Sequence, residues 1–186
     1  MSNIELFGSD KVKNLVTDTL HGCDDGELYI EDNVSESFLF DDGVLKNTSF
    51  NEHKGFGLRG VKDELIGYSH SSEFSIDALK EASATVSTVK FGHNSNSIVD
   101  PIKTNNKLYT DKNPLNVKDF SSKIKLLEDI NSYARNYDSK VKQVSVNLSG
   151  SWQKVDILRP SGQELTDIRP LVRLNISVTL EDKGKK

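Results

Sequence analysis

Cysteine is almost absent from this 186-residue sequence: Cys23 is the only one, as Trp152 is the only tryptophan. A single thiol excludes an internal disulfide and a cysteine-rich zinc knuckle, and it fits a reducing compartment. Cys23 reads as an ordinary buried or half-buried thiol rather than a nucleophile. No 18 apolar residues run together, so no membrane-spanning helix is expected. The opening MSNIELFGSDKVKN lacks the apolar core of a signal peptide, which makes the cytoplasm the expected location. Positive charge is not in excess, since 24 Lys and Arg face 28 Asp and Glu, for a net charge of −4. That balance gives no general attraction for a phosphate backbone, and the basic tail Lys183 to Lys186 is too short to form a patch. Neither nucleic acid nor membrane is an expected partner.

What is present fits a folded domain: 35% hydrophobic and 28% charged residues place the chain outside the disordered class. Ser9 is placed to cap a helix whose apolar positions Val12, Leu15, Val16 and Leu20 recur every three or four residues, with Gly22 as its stop. The segments ELYIED, SESFLF, VLKNTSF, HKGFGLRGV and LIGYSH are rich in β-branched and aromatic residues. Asp41-Asp42-Gly43 and Lys62-Asp63-Glu64 read as tight turns between them, which predicts antiparallel strands in a meander. Ser75 is placed to cap a second helix carrying Ile76, Leu79, Ala82, Val86 and Val89 on one face. Residues 93–119, rich in Asn, Ser, Lys and Asp, read as a connecting loop.

A third helix is expected from about Ser121, with Ile124, Leu127, Ile130, Ala134 and Tyr137 at helical spacing. The strands VKQVSVNLS and WQKVDIL follow it, then a turn at Arg159-Pro160-Ser161-Gly162. Beyond QELTDI and Arg169-Pro170, the residues Val172, Leu174, Ile176, Val178 and Leu180 alternate with polar ones, the clearest strand signal in the chain. The expected class is α+β, with antiparallel or mixed sheets backed by amphipathic helices. The expected divisions are a first half over 1–92, a loop over 93–119 and a second half over 120–186. Both halves run helix, strand, hairpin and a strand with an arginine among apolar neighbours (Leu58-Arg59, Val172-Arg173), the pattern of a degenerate repeat.

No constellation of catalytic residues emerges. Gly55-x-Gly57-x-x-Gly60 has the letters of a dinucleotide-binding turn, but that turn needs a helix opening at the glycines, and here another strand segment follows. The glycines read instead as strand positions where backbone or an aromatic ring packs closely. His21, His53, His70 and His93 are scattered, and none is followed by the glutamate of a zinc helix. Leu148-Ser149-Gly150-Ser151-Trp152 is not a nucleophile elbow. Asp24-Asp25 and Asp41-Asp42 read as turn carboxylates capping backbone amides. Arg59, Arg169 and Arg173 pair with carboxylates in the sheet or grip a peptide terminus. Trp152 is expected to pack on the sheet or an interface. No residue is assigned a catalytic, cofactor-binding or metal-ligating role.

Several words of the sequence, in order, resemble the TldD/PmbA metallopeptidase family, also called modulators of DNA gyrase. They are Gly26-Glu-Leu-Tyr-Ile with Glu36-Ser37, Leu39-Phe-Asp-Asp-Gly-Val-Leu-Lys46, Gly55-Phe-Gly-Leu-Arg59 with Gly67-Tyr68, Val99-Asp-Pro101, Lys140 to Gly150 and, most specific, Asp167-Ile-Arg-Pro-Leu-Val-Arg-Leu174. The resemblance implies a cytoplasmic zinc peptidase that forms a heterodimer with a TldE (PmbA) subunit around a cavity and cuts small or unfolded polypeptides. It also implies that zinc is held by a His-Glu-x-x-x-His helix further along the family's chain than Lys186. The expectation is therefore an N-terminal domain that shapes the cavity and subunit contact without cutting. The alternative is a truncated, non-enzymatic binding protein that pairs with a TldE-like subunit; the coding frame beyond Lys186 discriminates between them. If the strand from Arg169 to Leu180 pairs with elements outside these residues, its exposed edge should make the isolated piece associate.

Overall fold

The computed structural model describes residues 9–90 and 109–182. Among them the order is α1 (Asp10–Leu20), β1 (Asp25–Asp41), β2 (Val44–Lys62), β3 (Leu65–Ser71), α2 (Ile76–Val86), α3 (Phe120–Tyr137), β4 (Val141–Leu158) and β5 (Glu164–Leu180). The strands form one antiparallel five-stranded sheet in the order β3-β2-β1-β4-β5, with the helices packed on it, so the class is α+β.

α2 and α3 begin where a side chain meets their free amides. Ser75 Oγ accepts the Ala78 N–H at 3.1 Å, and the Asp119 carboxylate accepts that of Ser122 at 2.8 Å. The cap of α3 is thus Asp119, just ahead of the start expected at Ser121. The hydrogen bond from Ser122 also holds the Asp119 carboxyl below the usual range. At α1 the Ser9 carbonyl accepts from Val12 and Lys13 at 3.0 and 3.1 Å, and Gly22, at φ +84°, lets the chain leave the helix. The two hairpin turns joining β1 to β3 each hold an aspartate in left-handed backbone, Asp42 at φ 53° and Asp63 at φ 52°. Asp42-Gly43 is thereby the two-residue turn that its sequence announces.

Four strands differ from their sequence outlines in length. ELYIED and SESFLF are one 17-residue strand, VLKNTSF and HKGFGLRGV one of 19, VKQVSVNLS and WQKVDIL one of 18. QELTDI and the RPLVRL segment are also a single strand of 17 residues, β5, with Pro170 inside it. The polar links Asp32-Asn33, Glu52-His53 and Ser149-Gly150-Ser151 have turn-like composition, yet the first and last lie on β1 and β4, inner strands with a neighbour on either side, and Glu52-His53 continues β2 along β1 beyond the stretch that β3 covers, Phe56 to Lys62. Pro170 is tolerated because β5 lies at the edge of the sheet.

Two compact units are present, and each draws on both ends of the chain. The first comprises residues 1–32, 53–108 and 154–167, and its core joins Val12, Val16 and Leu20 of α1 to Leu79 and Val86 of α2 over Leu28, Phe56 and Leu58. The second comprises 33–52, 109–153 and 168–186, and its core is Phe38, Phe40, Leu127, Val144 and Val146. Of the expected loop 93–119, residues 93–108 lie outside the described residues. The rest is partly ordered by a short turn, Pro114–Asn116, whose Leu115 is buried.

Candidate functional site

The glycine stretch lies wholly within β2, which runs on through Gly60 to Lys62, with Gly60 opposite Gly67 and Arg59 opposite Tyr68 on β3. No helix opens at these glycines, so no set of N-terminal amides is presented to a pyrophosphate. Packing explains them. A Cβ on Gly57 would lie 3.0 Å from Tyr68 Oη, and one on Gly60 only 2.8 Å from Val86 Cγ1 and 3.2 Å from Leu20 Cδ2. The Tyr68 ring is exposed and free to swing aside, whereas Val86 and Leu20 are locked in the core. Gly57→Ala is therefore expected to change stability by less than about 0.5 kcal/mol and Gly60→Ala to cost about 1–3 kcal/mol. Urea denaturation of the two variants checks this.

Arg59, beside these glycines, is held by two carboxylates of β1. Its Nε donates to Glu27 Oε1 at 2.6 Å, and its Nη2 donates to Glu27 Oε2 at 2.8 Å and Asp25 Oδ2 at 2.6 Å. Arg159 Nη1 adds a 3.2 Å bond to Asp25 Oδ1. The hydrogen bond to Glu27 is the largest influence raising the Arg59 pKa. Burial would raise the Asp25 carboxyl, but the Arg59 hydrogen bond and charge, the Gly26 amide and Arg159 outweigh it and bring it below the usual range. Of the two readings of Arg59, pairing within the sheet is the one observed. Arg173 Nε donates to Asn175 Oδ1 at 3.1 Å.

The paired aspartates do more than cap turns. Asp24 receives Lys62 Nζ at 3.0 Å as well as the Asp63 N–H at 2.7 Å, and Asp42 pairs with Arg135 of α3. Trp152 is half-buried, and its Nε1–H donates to the Asp111 carbonyl at 3.4 Å. Cys23 is buried and takes no part in a disulfide. His21, His53 and His70 are exposed, His70 stacking on Tyr68 at 5.7 Å, and His93 lies outside the described residues. Among the described residues no three His, Cys, Asp or Glu side chains are grouped so as to hold a metal ion, so these residues do not fit a zinc site.

Two concavities among the described residues lie in the second unit. One, of about 570 Å³, opens between the first turns of α3, the Pro114–Asn116 turn and β4. Its buried charge is Lys123, whose ammonium donates to Glu36 Oε1 at 2.6 Å and to the Leu115 carbonyl at 2.7 Å, and stands 5.7 Å from the centre of the Phe38 ring. Gly150 leaves room for Leu115, since a Cβ there would meet Leu115 Cδ2 at 2.6 Å. The sequence marked Glu36 only as part of a family word and gave no sign of Lys123. Lys123, Leu127 and Asn131 are the buried positions of α3, four residues apart, and two of the three are polar. A reading by apolar periodicity therefore rotates the face toward Tyr137, which is in fact 79% exposed.

The other concavity, of about 450 Å³, is an apolar groove between Ile130, Tyr133, Ala134 and Tyr137 of α3 and Ile176, Val178 and Leu180 of β5. Among the described residues there are thus two clefts in the second unit and a sheet that ends at β5, and no three His, Cys, Asp or Glu side chains are grouped for a metal ion.

Comparison with known proteins gives the chain its kin. Residues 26–88 match the model of PmbA/TldA metallopeptidase domain 1, and residues 113–186 that of the PmbA/TldA metallopeptidase central domain. The metalloprotease TldD homolog of Haemophilus influenzae is 33% identical over 93% of this chain and 38% of its own length. That of Buchnera aphidicola subsp. Schizaphis graminum is 32% identical over 89% of this chain and 35% of its own. The fold is shared with TldE from Thermococcus kodakarensis, at a TM-score of 0.69 and 15% identity over 93% of this chain and 40% of that one. A Thermotoga maritima protein provisionally assigned as a modulator of a DNA gyrase gives 0.72 at 15% identity, over 97% and 40%. The chain belongs to the TldD/PmbA metallopeptidase family. It spans a little over a third of the length of these curated relatives.

Proposed function

We propose that these residues form the N-terminal, non-catalytic part of a TldD-type zinc metallopeptidase. In this reading they line the substrate cavity and contribute to contact with a TldE/PmbA-like subunit in the cytoplasm, and the substrates are small or unfolded polypeptides. The observation that carries the reading is the match of two consecutive family segments, domain 1 and the central domain, across one continuous sheet. The chemistry of the described residues agrees with a supporting role. Their strongest charges are spent on one another, Arg59 on Asp25 and Glu27 and Lys123 on Glu36, which fixes strands and a helix in place. Zinc, where the longer proteins bind it, would supply an activated water for peptide hydrolysis, and no step of that chemistry is assigned to residues here.

The test is metal analysis and a peptide-cleavage assay on the purified 186-residue chain. The expected result is no stoichiometric zinc after dialysis and no turnover of unfolded polypeptide. Tight one-to-one zinc, or turnover that follows the chain through purification, would overturn the proposal.

A further inference from the structure

The cleft at the start of α3 holds a hydrogen-bond acceptor that the fold leaves unspent. Glu36 gives its Oε1 to the Lys123 ammonium at 2.6 Å, and among the described residues nothing donates to its Oε2. Lys123 is committed: it donates to Glu36 and to the Leu115 carbonyl at 2.7 Å, with the Phe38 ring 5.7 Å from its nitrogen. What the cleft can still satisfy is a donor. Its walls are Leu115, Val117, Leu126, Leu148 and Val172, around a volume of about 570 Å³, and three of them, Val117, Leu126 and Val172, stay exposed. An apolar hollow with one unspent polar atom is the usual build of a binding site. Every residue named belongs to the second unit, so the cleft is complete within it.

The charges decide which donor fits. Lys123 already offsets Glu36, Lys125 and Asp129 on the rim hold each other at 3.1 Å, and Lys118 leaves one positive charge over. An entering ammonium would be drawn to Glu36 but repelled by Lys123 and Lys118, with little to offset its lost hydration, and a carboxylate would set a second anion against Glu36. A neutral N–H meets neither cost. We propose that this cleft takes an apolar side chain of an extended polypeptide, with a main-chain N–H beside that side chain donating to Glu36 Oε2. A polypeptide carries the two required groups side by side, an apolar body and a neutral donor. The inference rests on the reading of these residues as part of a substrate cavity, and deepens it by naming a subsite. Its test reads binding alone, so zinc or turnover in the assay above would overturn that reading and leave this one standing, and a failure to bind would do the reverse.

Fluorescence anisotropy of a labelled, end-blocked hexapeptide of leucine and glycine, titrated with the purified chain, should saturate with a Kd below about 1 mM. The same peptide N-methylated at its leucines and glycines has no main-chain donor beside the apolar groups. It should bind the native chain about tenfold more weakly, the loss expected for one hydrogen bond to a charged acceptor. Glu36→Gln keeps an oxygen for Lys123 and turns an amide NH2 toward the place of Oε2, so the unmethylated peptide should weaken by about tenfold and the two peptides should then bind alike. Leu126→Arg, on the exposed wall, should abolish binding of both while the circular dichroism spectrum stays unchanged, which decides the matter even if Glu36→Gln folds poorly. No saturation up to about 1 mM, equal binding of the two peptides by the native chain, or binding that survives Leu126→Arg would each overturn the proposal. So would loss of binding on Ile176→Lys in its place, which would put the peptide in the groove between α3 and β5.

Discussion

Lys123→Met is expected to destabilise the protein by about 3–5 kcal/mol, the range for removing one partner of a buried ion pair. The Lys123 and Glu36 side chains are 10% and 15% exposed. The methionine keeps the packing on Phe38 but strands the Glu36 carboxylate and leaves the Leu115 carbonyl without its 2.7 Å donor. Glu36→Leu placed on top of Lys123→Met should recover part of the loss, because removing both charges abolishes the stranded one. The urea midpoints of the two single variants and the double form the cycle that measures it. A double variant no better than Lys123→Met would show that the pair itself is not what is lost.

Leu58→Ala should cost a comparable amount, about 2–5 kcal/mol. Leu58 is 0% exposed, at the centre of the first unit's core, and the cavity cannot collapse because Gly57 and Gly60 on either side offer no side chain to fill it. Thermal unfolding should show the change as a fall in Tm. The contrast with Gly57→Ala, two atoms of chain away and nearly silent, separates a strand packed for stability from one kept for ligand contact. If this stretch bound a nucleotide, the ranking of the two variants in a binding assay would reverse.

The helices were legible because their signals are local. Ser75 and its face of Leu79, Ala82 and Val86 can be read without knowing what lies against them, and the structure places all three in the core. The Asp42-Gly43 turn was legible for the same reason. The lengths of the strands were not, since Asp32-Asn33 and Ser149-Gly150-Ser151 are extended only by virtue of strands distant in sequence. The apparent breaks fall at or close to the points where the chain passes between units, 32/33, 52/53, 153/154 and 167/168. In β4 the buried positions change parity along the strand, from Val144 and Val146 to Val155, so a period-two reading loses phase there, whereas β1 keeps one phase from Leu28 and Ile30 to Phe38 and Phe40.

The cleft was the least legible feature. Lys123 and Glu36 are 87 residues apart, and a lysine on a helix reads as a solvated position until its carboxylate partner is known. Family words succeeded where periodicity failed: the Lys140 to Gly150 word ends on the glycine that Leu115 packs against, a requirement no local pattern expresses.

Because each core borrows strand segments from both ends of the polypeptide, neither can be inherited or expressed by a simple cut. A gene severed after residue 92 would deliver Phe38 and Phe40 with no Val144 or Val146 to meet them, and would take Leu158 from beneath α1 and α2. Evolution can lengthen or shorten what surrounds this sheet. It must keep the two stretches of chain together, as an interlock closed by topology rather than by any single bond.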